Sequence, residues 1–213
     1  MFGEHKLKTQ FIKVGDKKIH LLEESENRVR YRRDDVERII KNNGEELKVL
    51  PAPAVGYGVR LLMVKFKEPL IVPPHDSLTG FIEAPVDVDV KVGELSVDHF
   101  IVGREKYALY GTLEAGVICR YHVSPFYAEE PDSIGVAKLT VSNPSPEWKA
   151  LERVVIPIWR TSMYYESTRA YYPLLVVTIK DHSPEVNNTG RAPKDGLNSV
   201  GKGLSLPNFL MRW

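Results

Sequence analysis

Glutamine is almost absent from this chain: Gln10 is the only one in 213 residues. Cysteine is equally scarce. Cys119 stands alone, which excludes an internal disulfide framework and fits a reducing compartment. No apolar run approaches the ~20 residues a helix needs to cross a bilayer. The opening Met1-Phe2-Gly3-Glu4-His5-Lys6 also lacks the apolar core of a signal peptide. A cytoplasmic protein with no membrane segment is therefore expected. Net charge is missing too. Lys and Arg number 29 against 28 Asp and Glu, a balance of +1, so no global field draws the chain to nucleic acid or membranes. Lys and Glu are plentiful where Gln is not, a bias of thermophile proteins, and a hot source is expected.

What is present is turn chemistry and short apolar runs. Fifteen Pro and fifteen Gly fit many turns, and 43% hydrophobic residues suffice for a core. Val59 to Phe66, Val86 to Val92, Leu95 to Val102, Val117 to Val123 and Val136 to Val141 read as strands about ten residues apart. Val86-Asp87-Val88-Asp89-Val90 alternates most cleanly, with valines facing in and charges facing out. Phe11 to Val14, Gly15-Asp16 and Lys18 to Leu22 read as a hairpin. Asp34 with Glu37 three residues on reads as a capping box, opening a short helix over Val36, Ile39 and Ile40 that stops at Gly44. No strand–helix–strand alternation occurs. The expectation is an all-β, mostly antiparallel β-sandwich, jelly-roll or Greek-key-like, with one short N-terminal helix. It spans residues 1–184 as a single domain, with a possible sub-boundary at the Pro-rich 51–54. Residues 185–213 read as a loop-like tail with an apolar end.

Most catalytic patterns fail on context. Residues 196–203 nearly spell a phosphate-binding loop, but no strand leads in and no helix follows. His5, His20, His75, His99, His122 and His182 are scattered without metal-ligand spacing, so no metal and no cofactor are expected. Cys119 and His122 fall on opposite faces of one strand. Asp87 and Asp89 lie on one face ~7 Å apart, a separation glycosidases use, yet the alternation argues that both are solvated.

The richest stretch is Arg153 to Lys180. Two β-branched runs flank a connector with Trp159, Arg160, Tyr164, Tyr165, Arg169, Tyr171 and Tyr172, residue types enriched at binding surfaces. A long hairpin turning near Ser167 is expected. The leading reading is a non-catalytic binding or protein-interaction module using this surface, with a protein partner or a homo-oligomer. Phe209, Leu210 and Trp213 in the tail dock either on the chain's own body or on a partner. One alternative is a hydrolase of carbohydrate or phosphorylated substrates at the same connector. It would be favoured by a buried acid or a His pair near Arg160. Another is nucleic-acid binding by Arg28, Arg30, Arg32 and Arg33, which the neutral net charge disfavours. Whether the chain is an enzyme stays open.

Phe2-Gly3-Glu4-His5, the segment Pro69 to Pro74 and the Tyr-rich run after Trp159 together give a further expectation. Across most of its length the chain resembles an uncharacterised family of archaeal proteins. That resemblance implies an archaeal source and assigns no catalytic or binding residues.

Overall fold

A computed structural model describes all residues except 181, 182, 202, 204–207, 212 and 213, and the described residues form twenty strands. In chain order these are β1 (Gly3–Lys6), β2 (Gln10–Val14), β3 (Lys17–Ser25), β4 (Arg28–Arg33), β5 (Val36–Lys41), β6 (Glu46–Pro53) and β7 (Leu61–Val72). Then come β8 (Asp76–Glu83), β9 (Val86–Val92), β10 (Leu95–Ile101), β11 (Tyr107–Tyr110), β12 (Val117–Ser124) and β13 (Gly135–Asn143). The last are β14 (Lys149–Pro157), β15 (Met163–Tyr165), β16 (Ala170–Tyr171), β17 (Leu175–Thr178), β18 (Glu185–Asn188), β19 (Asn198–Val200) and β20 (Phe209–Leu210). There is no helix among the described residues, and so none long and apolar enough to cross a membrane.

The strands pair into four sheets. One is the plain meander β2-β3-β4-β5, and a second runs β1-β6-β9-β10. The third is β11-β12-β7-β14. The largest runs β19-β15-β16-β13-β17-β18-β20, with β8 also on β13. Pairing is mostly antiparallel. β12 on β7, and β16 and β17 on β13, are the parallel exceptions. β7 is flanked on both sides, which explains its apolar middle: Leu62, Met63 and Val64 are all buried. It also runs on through Pro69. The register against β14 slips between Leu151 and Arg153, and such an irregularity tolerates a residue that cannot donate to a ladder.

The helix expected after Asp34 is absent. Residues 34 and 35 are instead the two-residue turn of a hairpin that pairs Arg33 with Val36. Asp34 takes a positive φ of 47°, a conformation Asp tolerates. Its carboxylate ties to Lys17 and Arg33 rather than capping a helix. Val36, Ile39 and Ile40 are β-branched and fit a strand at least as well. The Gly15-Asp16 hairpin is present as read, with Val14 opposite Lys17.

At the possible sub-boundary, Pro51, Ala52 and Pro53 extend β6 along β9, opposite Val88, Asp87 and Val86. One further expectation changes. The segment from residue 185 is not loop-like throughout. β18, β19 and β20 all join the largest sheet. Phe209 sits opposite Val186 and against the Tyr110 ring, and buried Met211 takes the Val155 N–H on its sulfur. The tail therefore docks on its own chain at Phe209, while Leu210 is exposed. Trp213 lies outside the described residues.

One buried cluster runs from Phe2 to Met211 through every sheet. The meander contributes Ile12, Val14, Ile19, Leu21, Val29 and Tyr31 to it. A polar clamp fixes the meander to β10. Asp98 accepts Arg33 Nε at 2.6 Å and Nη2 at 3.2 Å, and the Tyr31 hydroxyl at 2.7 Å. Arg33 also lies 4.5 Å over the Phe100 ring. The pair is nearly solvent-free, with 10% and 7% of the two side chains exposed. Removing one member leaves an uncompensated buried charge. Asp98→Ala should cost about 3–5 kcal/mol in denaturant melts. Arg30→Ala, in an exposed pair with Glu24 and Glu37, should cost less than about 1 kcal/mol.

Candidate functional site

The aromatic connector divides into an outward and an inward part. The two apolar runs do not pair with each other: β14 lies beside β7, and β17 beside β13. Between them only β15 and β16 make a tight hairpin, turning at 167–168 as expected. Trp159 remains 45% exposed. Its ring lies under the guanidinium groups of Arg60 at 5.1 Å and Arg160 at 5.7 Å. Arg160 holds a positive φ of 59°.

The tyrosines do not form the expected surface. Tyr164 is buried and donates to Gly190 O at 2.5 Å. Tyr172 is fully buried; its hydroxyl accepts the Ala54 N–H and donates to Pro85 O. Tyr165 is half-buried, edge-on to Phe2. An aromatic between closely spaced sheets contributes most where its ring is dry and its hydroxyl has a partner, and Tyr164 and Tyr172 have both.

Tyr171 and Arg169 sit in a closed ionic network. Arg169 reaches Glu130 at 2.9 Å and Asp132 at 3.0 Å. The Tyr171 hydroxyl lies 2.5 Å from Glu130 and 2.7 Å from Glu166, and accepts from Lys194 at 2.8 Å. Lys194 also reaches Glu130 and lies over the Tyr171 ring. Burial alone would raise the Glu130 carboxyl, but hydrogen bonds from Tyr171, Lys194 and Arg169 outweigh it and hold the group below its usual range. An ionised carboxylate already paired with two cations is a poor proton donor. Arg169 is thus committed to its own acids rather than open to a ligand.

A second polar centre was read wrongly from the alternation of β9. Asp87 has no exposed surface. Its Oδ2 accepts the Gly56 N–H at 2.9 Å and lies 3.5 Å from His99 Nε2. His99 Nδ1 meets Asp89 Oδ1 at 2.6 Å. Hydrogen bonds to Asp87 and Asp89 outweigh burial and raise the His99 pKa to about 10. The imidazole is therefore a cation at neutral pH and no general base. Arg120 is also fully buried. Its Nη1 lies 2.6 Å from Glu105, which also accepts from the Tyr107 hydroxyl. Arg120 Nε and Nη2, and Asp87 Oδ1, have no hydrogen-bond partner among the described residues. Both side chains bear electrostatically on Tyr172.

No nucleophile joins these charges. Burial pushes the Cys119 thiol up, and its Sγ donates to Ala108 O. His122 is lowered, chiefly by burial, against the pull of Glu83 at 3.9 Å. Among the described residues no three His, Cys, Asp or Glu side chains converge as metal ligands.

An open groove of about 590 Å³ lies beside Arg120, lined by Tyr57, Val59, Arg60, Tyr107, Val117 and Ile118. Tyr57 is 87% exposed. Gly56 and Gly58 flank it at φ of 45° and 95°. A Cβ on Gly56 would lie 2.3 Å from the Tyr107 hydroxyl and 2.5 Å from Glu105 Oε1, so glycine is required there. Arg60 continues the groove to Trp159. The Gly-Tyr-Gly run was the signal that could have pointed here.

Fold and site together define an all-β protein with paired charge networks, some of them partly buried, and an open aromatic groove. A family model described as "Protein of unknown function (DUF432)" matches residues 1–212, and the chain belongs to that family. Comparison with curated proteins and with solved structures returns no match.

The His99 clamp has a measurable pH signature. Its pKa rises from 6.5 to about 10 on folding. The stabilisation is therefore complete below pH 6.5 and is lost as pH rises through 10. His99→Asn should lower the melting temperature at pH 6 more than at pH 10, flattening the profile between them. An unchanged profile in thermal melts would remove His99 as the titrating group.

Proposed function

We propose that this protein is a non-catalytic protein-interaction module whose working surface runs from Tyr57 to Trp159. The observation that carries the reading is an exposed aromatic groove whose lining holds no Asp, Glu, His or Cys. Where acids do gather, at Asp87–His99–Asp89 and at Glu130–Arg169–Lys194, they are paired with cations. The open surface instead offers Tyr57, Ile118, Val117 and Trp159, with Arg60 and Arg160 beside them. Tyr, Trp and Arg next to exposed aliphatic groups are the composition of interface hot spots. Apolar patches of this kind on a monomer commonly mark partner sites. Next to the groove, β11 is the last strand of its sheet, an edge that a partner strand can extend. The partner chemistry that fits is an apolar segment carrying carboxylates to meet Arg60 and Arg160.

Sandwich-like packing of the sheets, a cytoplasmic setting and a hot archaeal source belong to the same reading. The lone cysteine and the Lys- and Glu-rich, Gln-poor composition support the last two. The hydrolase alternative gains a buried acid in Asp87, but that acid is tied to a protonated His99.

Placing a photo-reactive phenylalanine analogue at Ile118, in the source cells, tests the proposal. One discrete protein adduct is expected. Combining Tyr57→Ala with Trp159→Ala should reduce its yield several-fold. An adduct at twice the chain mass would identify a second copy as the partner. No adduct, or one indifferent to both substitutions, would sink the interaction reading.

A further inference from the structure

The meander has a second face that the core does not use. Ile12, Val14, Ile19, Leu21, Val29 and Tyr31 point into the core. The alternate residues point out. Register fixes their rows. Phe11 lies opposite His20, His20 opposite Arg32, and Arg32 opposite Glu37. Lys13 faces Lys18 in the next row. On the other side Leu22 faces Arg30 and Arg30 faces Ile39, and beyond them Arg28 faces Lys41. The face forms a shallow trough of about 820 Å³.

The lining of the trough is itself balanced, with Lys18, Arg30 and Arg32 against Asp16, Asp34 and Glu37. Each of these acids has a partner. Glu24 and Glu37 both pair with Arg30. Asp34 pairs with Lys17 and Arg33. Asp16 accepts the Gly103 N–H. On the wider outer face Lys13, Lys18, Arg28, Arg32 and Lys41 have no ion pair among the described residues, and they outnumber the exposed acids Glu23, Glu26 and Asp35, which have none either. Like charges also stand directly opposite one another at Lys13–Lys18 and Arg28–Lys41, an arrangement that costs stability in the free protein and that a polyanion relieves. Among these cations Phe11 is 71% exposed, one strand from His20 and two from Arg32, or ~10 Å at the usual strand spacing.

We propose that the outer face of the β2–β5 sheet binds single-stranded nucleic acid. Arg32, Lys18 and Lys13 on one side, and Arg28 and Lys41 on the other, meet phosphates. Phe11 stacks an unpaired base, a contact open to single strands because their bases are free to splay out. A duplex keeps its base faces covered, and this sheet presents neither a helix nor a ribbon to a groove. The site is separate from the Tyr57–Trp159 surface and does not depend on it.

The test is fluorescence anisotropy with the full chain and labelled single strands of about 15 nucleotides, in ribose and deoxyribose forms. A matching duplex and a poly-glutamate peptide serve as competitors. Binding to either single strand supports the proposal, and the ratio of the two identifies which sugar is preferred. Five phosphate contacts predict a slope of about −3.5 for log affinity against log salt. Arg32→Ala should make that slope shallower by about 0.7. Phe11→Leu keeps an apolar side chain but removes the stacking ring, and should weaken binding about tenfold. Both substitutions are on the exposed face, and unchanged melting temperatures verify the fold. Three results would overturn the proposal: no anisotropy change at about 50 mM salt; duplex binding as tight as single-strand binding; or equal competition by poly-glutamate with Phe11→Leu silent. The last would assign the face to an acidic polypeptide.

Discussion

A carboxylate with no exposed surface sits on β9, and the surrounding structure is organised to tolerate it. Burying Asp87 is unfavourable unless opposite charge and hydrogen bonds compensate. The Gly56 N–H reaches it from the loop after β6, and His99 from β10. Arg120, on β12 of another sheet, and Tyr172, at the edge of a third, share the same buried region. Tyr172 in turn holds Ala54 and Pro85. Three sheets thus meet around a few polar groups rather than around hydrocarbon alone. A buried polar centre adds little net stability, but it penalises every packing that leaves one of its members unpaired.

The other charge clusters follow the same logic. Asp98 fastens the meander, and Glu130 fastens the β15–β16 hairpin to the segment carrying Lys194. In each case a carboxylate is surrounded by donors from distant parts of the chain. Their pairing removes them from chemistry, since a group that moves protons must have a free partner position and a pKa near the working pH. His99, raised to about 10, shows how far the Asp87 centre lies from that condition. The groove from Tyr57 to Trp159 instead presents aromatic and apolar area beside two guanidinium groups.

Strand character was legible in the sequence because β-branched runs and Gly or Pro punctuation agree. Three features were not. The Asp34 segment satisfies a capping-box pattern and a two-residue turn equally well, and a propensity of a few tenths of a kcal/mol cannot decide between them. Tertiary pairing with β4 decides it. In β9, alternation separates two faces but does not say which is wet. Asp87 and Asp89 share a face, yet Asp87 is sealed at the end of the strand while Asp89 is half-exposed. The connector tyrosines had no informative period, and composition alone does not tell an interface aromatic from a core one. Trp159 and Arg160 stayed outside, while Tyr164, Tyr171 and Tyr172 went in. Tyr57 was overlooked because one exposed aromatic between two glycines carries no periodic signal at all.

Net charge misleads in the same way. A balance of +1 over the whole chain suggests indifference to polyanions, but at physiological salt a charge is felt over only ~8 Å. A bound strand therefore senses the few side chains beneath it, not the total. On the outer face of the meander Glu24, Glu37 and Asp34 are held in local pairs, and the unpaired Lys13, Lys18, Arg28, Arg32 and Lys41 outnumber the unpaired Glu23, Glu26 and Asp35. Strand alternation separates the two roles of this sheet. Inward positions build the core, and Arg33 leaves the basic stripe to serve it by binding Asp98. Outward positions collect the remaining cations. The arginine run is thus divided by its period of two into an inward residue, Arg33, and the outward Arg28, Arg30 and Arg32, a division that a count of charges cannot reveal.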